Sequence, residues 1–160
     1  MNTLYIDKEE ILAENDFTIT NDDGDDVFRV ITYNNGKEIN ITLYNMSGEK
    51  VSTVKSKSKS ASPKYNIYFG ESLYGVVSSR FSLFSADVKI DSVNGAFTLN
   101  GNCSASSYSL YSNGKMFGSL AKKWFDSGAA YCITTCADED TAFFVSIVLA
   151  VESCVKRRIL

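Results

Sequence analysis

The chain of 160 residues has no histidine. That excludes Ser-His-Asp and Cys-His nucleophilic arrangements and removes the commonest general acid–base side chain. Neither a Gly-x-x-x-x-Gly-Lys loop nor a Gly-x-Gly-x-x-Gly turn is present, so the usual phosphate and dinucleotide cradles are missing. The four cysteines, Cys103, Cys132, Cys136 and Cys154, include no Cys-x-x-Cys pair. Without that spacing and without histidine there is no zinc pattern. They are expected to be reduced and mostly buried thiols, with Cys132 and Cys136 on the same face of one strand, and no metal or cofactor is expected. Basic residues are not in excess, at 16 against 19 acidic, for a net charge of −3. A nucleic-acid binder normally carries a basic stripe, so no nucleic-acid partner is expected. The longest apolar run, Thr141 to Val151, is about half of the roughly 20 residues a transmembrane helix needs. Met1 to Glu10 lacks the apolar core and cleavage site of a secretory signal. A cytoplasmic location is therefore expected.

That apolar run is nevertheless the most distinctive stretch in the chain. Asp138-Glu139-Asp140 precede it and Lys156-Arg157-Arg158 follow it, a charge order that suits a helix macrodipole. Asp138 or Asp140 can act as the N-cap. Between Ala142 and Val151 apolar residues fall on every side of the helical wheel. A helix apolar all round is buried all round, so residues from about Asp140 to Lys156 are predicted to form a central helix.

The rest reads as short strands. Segments beginning at Leu4, Phe17, Val27, Ile39, Val51, Lys64, Leu73, Ala86, Ala96, Tyr108, Phe117 and Ala130 recur at the spacing of a sandwich or barrel. Ile39, Ile41 and Leu43 alternate with polar residues and should share one face. The single proline, Pro63, falls between strands, where it removes no ladder bond. A hairpin repeat is visible: Asn21-x-x-Gly24-x-x-Val27-x-x-Val30 recurs as Asn45-x-x-Gly48-x-x-Val51-x-x-Val54. The carboxylates Asp22, Asp23, Asp25 and Asp26 lack the spacing of a calcium loop and read as a solvated turn. The predicted architecture is a single domain, residues 1–160: mainly β, a closed antiparallel barrel of about twelve strands around a central hydrophobic C-terminal helix.

Three features in order resemble the LURP-one-related family, over roughly residues 3 to 154. They are the repeated Gly-x-x-Val turns, Pro63-Lys64-Tyr65 at a strand start, and the segment Lys123-Trp124-Phe125-Asp126-Ser127-Gly128-Ala129-Ala130-Tyr131 ahead of the closing helix. The last is similar to that family's Lys-x-Trp-Phe-x-x-Gly-x-x-Tyr segment. The resemblance implies the tubby C-terminal-like fold, a twelve-stranded barrel with a hydrophobic helix through its centre. It implies no agreed activity. The related tubby domains bind phosphoinositides and the phospholipid scramblases share the fold, but a fold does not carry function with it.

Two residue sets remain to be explained. Glu152 is an acid near the end of an otherwise apolar helix, expected to reach the barrel mouth or to pair with a base. Lys55, Lys57 and Lys59 alternate with serines, so they would share one strand face, and Lys64 follows the next turn. Such a row is a charged outer face that blunts aggregation, a disordered low-complexity loop, or a surface for anionic lipid headgroups. The function expected is a non-enzymatic binding or scaffold domain engaging anionic lipid or a protein partner. The alternative is an enzyme with an unrecognised site in a barrel-end pocket.

Overall fold

The computed structural model describes residues 2–7, 11–12, 15–57, 63–81, 86–126 and 128–159; for 57, 80–81, 86–87, 139 and 156–159 it describes the backbone only. Twelve strands form a closed antiparallel barrel: β1 (Asn2–Ile6), β2 (Asp16–Asn21), β3 (Asp26–Asn34), β4 (Glu38–Asn45), β5 (Lys50–Lys57), β6 (Lys64–Phe69), β7 (Ser72–Phe81), β8 (Ala86–Ser92), β9 (Gly95–Asn102), β10 (Ser107–Ser112), β11 (Lys115–Phe125) and β12 (Gly128–Thr135). Each strand pairs with its sequence neighbour, and β1 closes the ring on β12. A 3-10 turn, Asp138–Asp140, then leads into α1 (Thr141–Ile159), which runs through the barrel. The helix is longer than the predicted span, and Lys156-Arg157-Arg158 form its last turn rather than following it.

Alternation builds the wall. Ile39, Ile41 and Leu43 on β4, Ser52, Val54 and Ser56 on β5, and Tyr65 and Ile67 on β6 are all buried. The repeated motif is one turn made twice. Asn21 Oδ1 accepts from the amides of Asp23 and Asp25, and Asn45 Oδ1 accepts from those of Ser47 and Glu49. Gly24 and Gly48 take φ of 81° and 84°, a left-handed conformation that glycine alone adopts at no steric cost.

The helix fills the ring. Phe144, Val145, Ile147, Val148, Leu149, Ala150 and Val151 are buried within one continuous cluster with the strand interiors. Its three polar interruptions are each tied down. Ser146 Oγ lies 2.6 Å from Ser52 Oγ, Ser153 Oγ donates to the Tyr65 hydroxyl at 3.2 Å, and Glu152 accepts from Ser106. These bonds fix the rotation of a helix whose apolar surface is nearly uniform. Two strands present glycine to its first turn. A β-carbon on Gly75 would stand 3.1 Å from the Phe143 ring, and one on Gly118 would stand 2.8 Å from the Phe144 ring. Only hydrogen fits between strand and ring at Gly118.

A meander with a returning helix sorts the connections between two ends. The β2–β3, β4–β5 and β6–β7 turns share one end with the start of α1, and carry Asp22, Asp23, Asp25, Glu49, Glu71, Asp138 and Asp140. The close of β5, the opening of β6, the β11–β12 turn and the last turn of α1 share the other end. There stand Lys37, Lys57, Lys64, Lys122, Lys123 and Lys156-Arg157-Arg158, together with Asp7, Asp16, Glu38 and Asp126. Asp16 is bound bidentately by Arg29, which holds its carboxyl below the usual range. Among the described residues, no helix is long and apolar enough to cross a membrane.

One expectation about the thiols needs correction. Cys103, Cys132 and Cys154 are buried and take part in no disulfide among the described residues, whereas Cys136 is exposed. Strand β12 stops at Thr135, so the same-face rule that links Cys132 to a residue four further on no longer applies at Cys136.

Candidate functional site

On the outer wall of β4, β5 and β6, facing rows are set by register. Asn40 lies opposite Lys55, and Lys55 opposite Asn66; Thr42 lies opposite Thr53, and Thr53 opposite Tyr68. The inward residues of these strands are apolar or serine, so the outward set is polar by alternation. Asn40, Thr42, Lys50, Thr53, Lys55, Tyr68, Gly70 and Glu71 line an open groove of about 450 Å³ along this wall. The Lys55 ammonium stands 5.7 Å from the centre of the Tyr68 ring, within cation–π range. The register of β4 on β5 places Lys50 opposite Tyr44, at the same end of the groove as Glu71 on the β6–β7 turn. Among the described residues no carboxylate forms an ion pair with Lys50, Lys55 or Lys64.

Of the sequence-predicted lysines, Lys55 enters the groove and Lys64 is exposed at the opening of β6. Lys57 closes β5 opposite Glu38, with only its backbone described, and Lys59 lies outside the described residues. Asn40, Thr42, Lys50, Thr53 and Tyr68 escape a sequence reading. They belong to three strands, and only register brings them together. A second groove of about 250 Å³ is lined by Arg29, Ile31, Tyr44, Asn45, Met46 and Gly48. Its cation is already committed to Asp16.

Inside the barrel, at the end where α1 finishes, Ser106 Oγ donates to Glu152 Oε2 at 3.0 Å. Cys103 and Tyr108 stand in the same buried neighbourhood. Glu152 thus meets the β9–β10 turn instead of the barrel mouth, and is 4% exposed. Gly101, with φ of 124°, lets this turn close: a β-carbon there would meet the Ser107 carbonyl oxygen at 2.4 Å. Burial and the nearby Glu152 carboxylate push the Tyr108 hydroxyl well above its ordinary value. Among the described residues that hydroxyl has no hydrogen-bond partner. Replacing Tyr108 with Phe should therefore raise stability by about 1 kcal/mol, read from denaturant midpoints, because a buried unsatisfied hydroxyl is a cost. The pH dependence has a definite sign. A raised folded pKa means that the neutral phenol's contribution is complete below about 10 and is lost as pH climbs above it. Tyr108→Phe should accordingly flatten the alkaline limb of the stability profile.

A closed twelve-stranded barrel filled by its own C-terminal helix defines a class in which the interior is packed core and the polar groove lies on the outside of the wall. The chain belongs to the LURP-one-related family, whose model matches residues 2–152. Among solved structures it is similar to the crystal structure of a protein from Arabidopsis thaliana, with a TM-score of 0.65 and 16% sequence identity, over 95% of this chain and 90% of that one. At that identity the likeness concerns the fold. Among curated proteins no sequence matches.

Proposed function

We propose that this domain is a non-enzymatic binding module whose outer wall engages anionic lipid headgroups. The observation that carries the reading is the β4–β6 groove. Two ammonium groups, Lys50 and Lys55, share it with the Asn40 amide, the Thr42 and Thr53 hydroxyls and the Tyr68 ring. Ammonium, hydroxyl and amide donors are the set that phosphate oxygens accept from. Glu71 at one end sets an acidic limit to the groove, and Lys64 extends the basic row along β6. The absence of histidine and the enclosure of Glu152 and Tyr108 within the core support a non-enzymatic role.

The test is co-sedimentation with phosphatidylserine-containing vesicles. Wild type should bind at low salt and release as the Debye length falls below about 10 Å. Changing Lys55, Lys57 and Lys59 together to Gln should weaken binding roughly a hundredfold, at about 1 kcal/mol for each lysine near an anionic surface. Circular dichroism should be unchanged, since Lys55 is exposed. A wild-type protein that ignores anionic vesicles at low salt would leave the row as a solvated face and favour a protein partner.

A further inference from the structure

Strands β11 and β12 run past their neighbours. β10 pairs with β11 only as far as Tyr108 opposite Leu120, and β1 leaves β12 at Ile6 opposite Tyr131. Beyond those points Lys123 faces Ala130, Trp124 faces Ala129 and Phe125 faces Gly128, with no third strand paired to them among the described residues. The result is a two-stranded ribbon at the end of the barrel where α1 finishes, buried on its β12 side at Ala129 and Ala130 and exposed on its β11 side. At its tip Trp124 is 73% exposed, more than any other large hydrophobic side chain among the described residues, and Phe125 is 51% exposed.

Successive strand residues point to opposite faces. The two rings therefore stand on opposite sides of the ribbon, and each has a lysine two residues behind it on its own side. Lys122 backs Trp124, with its ammonium 5.1 Å from the ring centre, and Lys123 backs Phe125. Both sides of β11 thus repeat one order, an aromatic residue outermost and a lysine two residues behind it, about 7 Å back along the backbone; the Lys122 ammonium also lies 5.4 Å from the Tyr131 ring centre. A folded protein partner would cover one face of a ribbon. A layered, fluid surroundings meets both faces alike, and an anionic bilayer has layers in this order. Aromatic rings settle at the boundary between headgroup and acyl chain, while ammonium groups remain level with the phosphates. Asp126 lies in the turn itself. A carboxylate is costly to take from water, which holds the tip at headgroup depth.

We infer that the β11–β12 hairpin is a shallow membrane wedge, with Trp124 and Phe125 entering the interface of an anionic bilayer and Lys122 and Lys123 meeting its phosphates. The inference rests on the headgroup reading above and adds a second, apolar contact on a different pair of strands.

Trp124 is the only tryptophan in the chain, so its fluorescence reports on the tip alone. With phosphatidylserine-containing vesicles its emission should move to shorter wavelength, and quenching by iodide should fall. Phe125→Ser keeps the fluorophore and should reduce the shift. Trp124→Ala with Phe125→Ala should weaken co-sedimentation by about tenfold or more, given the apolar area removed, with circular dichroism unchanged. Asp126→Asn should strengthen binding and enlarge the shift. Should wild type co-sediment while Trp124 emission stays at its solvent-exposed position, and the double alanine variant bind like wild type, the wedge is wrong and the headgroup reading stands. No binding to anionic vesicles at all would overturn both.

Discussion

A chain ending at Ala137 is expected not to fold. Removing Asp138 onward deletes α1 and with it Phe144, Val145, Ile147, Val148, Leu149 and Val151, all buried in the described structure. Burying each such side chain contributes about 1.5–3 kcal/mol as an upper estimate. Together they amount to on the order of 10 kcal/mol, comparable with the whole stability of an ordinary domain. The ring of strands would also enclose a void lined by their own apolar side chains, and close-packed interiors do not tolerate that. The truncated chain should aggregate or show no cooperative denaturant transition. A soluble fragment with a sharp transition and unchanged strand signal would mean that the barrel stands without its filling.

Substituting Val for Gly118 should act on the same contact from the wall side. The new β-carbon would fall 2.8 Å from the Phe144 ring, closer than real contacts allow, and Phe144 is fully buried with Phe117 edge-on against it. Overpacking of this kind costs about 3 kcal/mol, or roughly 10 °C in melting temperature for a domain of this size. A double-mutant cycle identifies the cause. Phe144→Ala alone opens a cavity and costs about 3–5 kcal/mol. Combined with Gly118→Val, which occupies part of that cavity, the total should be smaller than the sum. Strict additivity would show that the two residues do not press on each other.

Much of this fold is legible in the sequence because its signals are local. Twelve strands could be placed from alternation and turn residues, since residues two apart share a face whatever the strand pairs with. The helix announced itself through apolar residues on all sides, which only an enclosed helix can carry. What stayed hidden depends on pairing. Glu152 looks anomalous in the sequence, but the position of Ser106 opposite it follows from where the β9–β10 turn folds over the helix end. Gly118 is one glycine among ten until the helix is threaded and Phe144 lands on it. Lys55 could be named from the alternating lysines. Its groove partners Thr42 and Tyr68 could not, because they reach it across two separate strand registers. The exposure of Cys136 was misjudged for the same reason, since a strand's last residue is fixed by its partner's length rather than by its own side chains.

Amide hydrogen exchange with and without phosphatidylserine-containing vesicles tests most directly which part of the barrel meets the lipid surface. On binding, protection should rise along β5, β6 and the β11–β12 ribbon from Lys122 to Ala130. The acidic turn from Asp22 to Asp26, at the opposite end, should exchange as before. Protection confined to that acidic end, or no change anywhere at low salt, would contradict the account.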